Sequence, residues 1–173
     1  MGHAVEGNER RSVAPLVRRA QGGDVLARGE LLELLAPQVR RWCGPIALDE
    51  GADATQETLI VVLRRLPQLR DPQALFGWVR TIAIREAVRI AERRARSRPA
   101  ELSDLPESGD PQLLVDINDV LNRLSPQHRA ILMLRDMDGL DEQHAAELLA
   151  VPVGTVKSRL ARARRSFRKE WQS

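Results

Sequence analysis

Apolar residues recur along this chain at the three- and four-residue intervals of a helix in nearly every segment. Val13, Leu16, Val17 and Ala20 fall at i, i+3, i+4 and i+7, and Gly22-Gly23 stops the helix they predict. Asp24 is the expected N-cap of a second helix, with Leu31, Leu34, Leu35, Val39 and Trp42 inward as far as Gly44-Pro45. A third is expected from 52 to 66, with Leu59, Val62, Leu63 and Leu66 facing the core. Asp71-Pro72 offers a cap and a proline at the first helical position of a fourth, which runs unbroken to about Arg96.

The pattern then lapses. Residues 99–116 hold three prolines, one glycine and five acids, with no Lys or Arg, which is the composition of an extended, self-repelling linker. Beyond it Val120, Leu121 and Leu124 form a short apolar stripe, and Ser125-Pro126 caps a helix through Ile131, Leu132 and Leu134. Gly139 breaks that helix. Asp141 opens another holding Ala145, Leu148 and Leu149, and the turn Ala150-Val151-Pro152-Val153 leads to a last helix over 154–171. The expected fold is all-α: a helical domain over 1–98, a flexible acidic linker over 99–116, and a second helical domain over 117–173 containing a helix-turn-helix.

Composition supports helices over strands. The chain has no Tyr, two Phe and three Trp, few aromatics for a sandwich or barrel. Its 173 residues suffice to bury a core without disulfides or metal. Cys43 is alone, and His3, His128 and His144 are scattered, so no metal cluster and no cofactor are expected. Cys43 follows Trp42 at the end of an apolar stretch and reads as a buried small hydrophobe. No apolar run is long enough to span a membrane and the first dozen residues lack a signal-peptide core, so the cytoplasm is the expected location.

Charge changes the picture more. The net charge is only +3, but it is segregated. Residues 80–98 hold seven arginines against two glutamates, and residues 154–173 hold five arginines and two lysines against one glutamate. Two basic helices either side of an acidic strap suit a polyanion gripped at two places. In the last helix Val156, Leu160, Ala163 and Phe167 make the inner stripe. Thr155, Ser158, Arg159, Arg162 and Arg165 share the outer face, with Lys157 at its flank. On charge alone a solvated basic helix is the favoured reading; the helix and tight turn before it change this to a helix-turn-helix, whose second helix enters the DNA major groove. In the first half Trp78, Ile82, Arg85, Arg89, Arg93 and Arg96 lie on one stripe that begins apolar and turns basic, with Arg80 close by. That helix can lie along a nucleic-acid backbone with Trp78 near a base.

These residues resemble a known family. The stretch GTVKSRLARAR (154–164), preceded by LSPQHRAILMLRDMDGL (124–140), resembles the second DNA-binding domain of extracytoplasmic-function (ECF) sigma factors of bacterial RNA polymerase. In the first half Gly23-Asp24 resembles the family's GD turn. Asp53, Gln56 and Glu57 match its DxxQE core-binding motif, and Trp78-Val79 with Ile82-Ala83 resembles the WL..IA of its promoter-melting helix. The chain departs from the pattern at Arg28, where Phe is frequent, at Arg85 and Arg89, where Asn and Asp are common, and at Ala145-Ala146, where Ile-Ala is usual.

The resemblance implies promoter-specific initiation without catalysis. Asp53, Gln56 and Glu57 would bind the clamp helices of the largest polymerase subunit, and the second domain would bind the polymerase flap. Trp78, Arg80, Arg85, Arg89 and Arg93 would serve the −10 element. Thr155, Lys157, Ser158, Arg159, Arg162 and Arg165 would serve the −35 element. The acidic linker would lie in the polymerase's cationic cleft, and an anti-sigma factor is a usual partner. A one-component helix-turn-helix regulator explains residues 116–173 but neither the basic stripe of 80–96 nor the DxxQE match. An enzyme is not expected, since no nucleophile–base constellation or phosphate-cradling loop is legible.

Overall fold

The computed structural model describes residues 13–97 and 112–172. Eight α-helices and no strand occur among them: α1 (13–21), α2 (Val25–Ala47), α3 (Gly51–Arg65), α4 (Leu75–Ser97), α5 (Gln112–Arg123), α6 (Pro126–Leu132), α7 (Glu142–Leu149) and α8 (Val153–Trp171). Asp24 caps α2 as expected, its Oδ1 accepting from the Ala27 N–H at 3.0 Å. That bond, reinforced by the Arg19 guanidinium, holds the Asp24 carboxyl below its usual range. Gly23 turns the chain between α1 and α2 at φ +94°, a conformation that disfavours any Cβ.

Helix α2 packs against α3 and α4, which also pack on each other. Leu31, Leu35, Val39, Cys43, Val62, Val79 and Ile84 are fully buried between these helices. Gly44 and Gly51 mark where α2 and α3 come closest: a Cβ on Gly51 would sit 3.3 Å from the Gly44 Cα. Cys43 is a buried small residue, its thiol pushed up to about 11 by desolvation.

Within α2 and α3, three details differ from the sequence expectation. Leu34 is 41% exposed, because the core face of α2 follows the 31–35–39–42 row and leaves position 34 beside it. Pro45 does not end α2, which runs two residues further because Ile46 and Ala47 are buried, and that burial outweighs the backbone bond lost at proline. In α3, Leu59 and Leu63 are only half-buried, and Ala54, Thr55, Thr58 and Val62 take the inner face.

Asp71 caps a 3₁₀ turn, Pro72–Ala74, that feeds directly into α4. Helix α5 begins at Gln112, inside the stretch expected to be linker; most of that acidic stretch lies outside the described residues. Ser125 caps α6, accepting from the His128 N–H at 3.3 Å, and α6 continues as a π-helical turn over Met133–Met137. Helix α8 packs on α5, α6 and α7 through Val156, Leu160 and Ala163.

The halves α1–α4 and α5–α8 meet: α6 contacts α2 and α4, and α7 contacts α4. Arg129 of α6 is the main tie, only 8% exposed. Its Nε donates to the Ile46 carbonyl at the end of α2 at 2.7 Å, and Nη1 to the Leu124 and Leu121 carbonyls at 2.7 and 3.1 Å.

Because only the 31–35–39 row is core, Leu31→Ala should cost about 2–5 kcal/mol in urea unfolding. Leu34→Ala, on the exposed flank, should cost under about 1 kcal/mol. Equal losses would place position 34 inside the core after all.

Candidate nucleic-acid interface

Helices α7 and α8 with the turn between them form the helix-turn-helix. Asp141 caps α7, its Oδ1 accepting from the His144 N–H at 2.8 Å, and that backbone bond holds its carboxyl low. The turn passes through Ala150 in the left-handed conformation, with the Val151 N–H bonded back to the Ala146 carbonyl at 3.0 Å. Ala145 and Ala146 are both buried, and α7 packs on α8.

On α8, Lys157, Ser158, Arg162 and Arg165 are exposed and Thr155 is half-buried. The Ser158 hydroxyl donates to the Thr155 carbonyl at 3.1 Å, and Lys157 stands 3.3 Å from Glu142 of α7. Arg159 departs from the expected outer face. It is half-buried and lines a cleft of about 240 Å³ with Arg85, Arg89, Glu92, Gln127 and Val151. Desolvation there lowers its pKa, with the Arg162 charge adding to the effect. Helical periodicity had placed Arg159 relative to its own helix and was silent about the neighbouring one.

On α4, Trp78 is half-buried against the core and Arg93 is exposed. Arg80 pairs with Asp138, in the turn before α7. Arg85 donates from Nε to the Leu148 carbonyl at 2.9 Å and from Nη2 to the Glu147 carbonyl at 2.8 Å. Both carbonyls sit at the C-terminal end of α7, where the helix dipole favours a cation. Arg89 donates to Glu86 at 2.6 Å and stands 3.7 Å from Glu57. Asp53, Gln56 and Glu57 share one face of α3, the first two exposed and Glu57 half-buried. The arginine stripe of α4 and the carboxylate face of α3 are therefore adjacent and linked by a side-chain pair.

Sequence reasoning missed Arg129, Asp138 and Gln127. Each acts across the seam between halves, Gln127 by donating to Glu92 at 2.7 Å, and no local pattern marks them. Among the described residues no His/Cys/Asp/Glu group is arranged to hold a metal, and no helix is long and apolar enough to cross a membrane.

The family model for "Sigma-70, region 4" matches residues 114–167, which span α5 to α8. The RNA polymerase sigma-H factor of Pseudomonas aeruginosa is 32% identical over 143 residues, 71% of this chain and 74% of that protein. The chain belongs to the ECF sigma factors of bacterial RNA polymerase. The ECF RNA polymerase sigma factor SigE of Mycolicibacterium smegmatis is 31% identical over 69% of this chain, which spans about half of SigE's length (51%). The fold is shared with the sigma factor RpoE of Bartonella quintana, solved with the anti-sigma factor NepR: TM-score 0.61 and 24% identity over 83% of this chain and 96% of that one.

In this sigma factor the matched region holds a titratable group near the basic side chains of α8. His128 of α6 is half-buried near Arg162 and Arg159; burial first, then those two charges, lower its pKa below the ordinary 6.5. Between that lowered value and 6.5 the unfolded chain binds a proton that the folded chain does not, so stability falls as pH drops through this window and is level above it. His128→Gln should flatten that part of the stability–pH curve in urea unfolding at graded pH. A curve of unchanged slope would mean that other groups set it.

Proposed function

We propose that this sigma factor binds core RNA polymerase through the α3 face of Asp53, Gln56 and Glu57, and reads promoters with α4 and α8. Helix α4 would engage the −10 element with Trp78, Arg80, Arg85, Arg89 and Arg93. Helix α8 would engage the −35 element with Thr155, Lys157, Ser158, Arg159, Arg162 and Arg165. The observation that carries this reading is the basic α8, held by the capped α7 and its left-handed turn within the matched region 4. The chemistry is recognition and involves no catalytic group of this chain. A protein of this function works in the cytoplasm, and an anti-sigma factor, such as the partner of the Bartonella quintana RpoE, is part of the proposal.

Two kinds of contact are expected on α8. Arginine can bridge O6 and N7 of a guanine with its planar fork, whereas a lysine ammonium holds a phosphate without fixed orientation. Arg159 lies within the first two turns of α8, the part of such a helix that meets base edges. Arg159→Ala should cost roughly 1–3 kcal/mol and change the ranking of single-base −35 variants. Lys157→Ala should weaken all variants alike. Binding of both mutant holoenzymes to a set of such variants measures this, and a uniform loss for Arg159→Ala would move base reading elsewhere on the helix.

Run-off transcription with core polymerase and a library of promoter sequences tests the reading as a whole. The wild-type chain should give promoter-dependent transcripts. Replacing Asp53, Gln56 and Glu57 together with Ala should remove them, with weakened pull-down of core and unchanged helicity by circular dichroism. Those side chains are at least partly exposed, so the fold does not depend on them. Full transcription by the triple variant would overturn the α3 assignment.

A further inference from the structure

Arg159 of α8 is a half-buried guanidinium with no hydrogen-bond or ion-pair partner among the described residues. An arginine in open water needs none, but a cation partly withdrawn from water calls for an anion. The cleft of about 240 Å³ that it lines also receives Arg85 and Arg89 from α4. Arg85 commits Nε and Nη2 to the Leu148 and Glu147 carbonyls, and Arg89 commits the same two nitrogens to Glu86. Nη1 of each therefore has no acceptor among the described residues. Glu92 is the one carboxylate lining the cleft, and its Oε1 already accepts from the Gln127 amide at 2.7 Å. Three cations face one partly engaged anion. Neighbouring groups feel this excess. Burial and then the Arg162 charge lower the Arg159 pKa, with Glu92 alone raising it, and burial, Arg162 and Arg159 lower that of His128.

We propose that this cleft is a binding site for a small diphosphate anion, held by Arg159 of α8 together with Arg85 and Arg89 of α4. A planar guanidinium matches the oxygens of a phosphoryl group two at a time, which a point charge does not. A diphosphate offers two such groups, one toward each helix, and its charge cancels the excess that Glu92 leaves. Val88, Leu149 and Val151 line the rest of the cleft with apolar surface, which strengthens each ion pair by keeping water back. The diphosphate is either the free anion or the head of a nucleotide. A bound diphosphate would occupy arginines that promoter DNA also needs, so its concentration would set how many chains are free to bind. That consequence rests on the promoter assignment made above. The site itself does not, since it needs neither polymerase nor DNA.

The test is calorimetric titration of the full chain with sodium pyrophosphate at constant ionic strength, paired with thermal melting in the same buffers. One saturable site is expected, with a thermal midpoint that rises as it fills. Arg159→Gln should weaken binding about tenfold or more. Arg168→Gln removes the same charge from the exposed last turn of α8 and should change binding less than about twofold. Glu92→Gln takes away the lining carboxylate and should tighten binding about threefold. All three side chains are at least partly exposed, and circular dichroism checks that each variant keeps its helices. ADP in place of pyrophosphate separates the two sources: equal or tighter binding assigns the site to a nucleotide, and exclusion assigns it to the free anion. No saturable heat and no rise in the midpoint would overturn the site. So would equal losses from Arg159→Gln and Arg168→Gln, because the anion would then be answering the charge of the whole chain. Failure of the sigma-factor assignment is a separate result: no promoter-dependent transcript from wild-type chain and core, whatever the titration reads.

Discussion

A single buried guanidinium decides how the two halves of this molecule sit. Arg129 meets three backbone carbonyls: Ile46 at the end of α2, Leu121 in the last turn of α5, which also accepts from the Leu124 N–H, and Leu124 just beyond α5. Its burial pulls its pKa down to about 10, against the raising influence of Glu50 and Asp49, so it remains a cation at neutral pH. A charge this far from water is tolerated only while its donors are matched. Moving α6 away from α2 would break this bond and leave the guanidinium and the Ile46 carbonyl to find partners in water. The placement of α7 over α4, and of Arg159 beside Arg85 and Arg89, follows from that anchorage.

What the sequence made legible is what repeats locally. The period of apolar residues located the described helices, except that α5 begins inside the expected linker; Asp24, Ser125 and Asp141 cap where the pattern placed them, while Asp71 caps the 3₁₀ turn that leads into α4 rather than α4 itself. Errors came where a local rule met a tertiary one. Pro45 is a sound stop signal, but burial of Ile46 and Ala47 carries α2 past it. Leu34 fits the helical spacing but falls where nothing packs over it. The π turn after α6 leaves no composition signal: the hydrophobic spacing Met133–Leu134 serves either helical form.

The candidate site divides in the same way. Its candidate residues came from charge segregation and from the family motifs, because both are properties of short stretches. How those residues are disposed could not. Arg129, Asp138 and Gln127 look unremarkable in sequence, an arginine, an acid and an amide in an ordinary helical run, and acquire meaning only from partners more than thirty positions away. The DxxQE face and the arginine stripe were legible separately, but the Glu57–Arg89 proximity that joins them was not.

Counting arginines therefore overstates the cationic surface that a polyanion meets. Arg80, Arg89, Arg94 and Arg164 each have a carboxylate partner within the chain, on Asp138, Glu86, Glu50 and Asp136. A phosphate that recruits one of them must displace that carboxylate, so the free energy gained is the difference between two ion pairs rather than the whole of one. Salt weakens both sides of that exchange, because a surface pair and a phosphate contact are screened alike. The salt dependence of DNA binding should therefore be shallower than the number of basic residues on α4 and α8 implies, with the exposed Arg162 and Arg165 contributing more to it than the paired arginines. The near-neutral net charge is in part the sequence-level trace of this arrangement, since Asp138, Glu86, Glu50 and Asp136 each sit against an arginine within the chain.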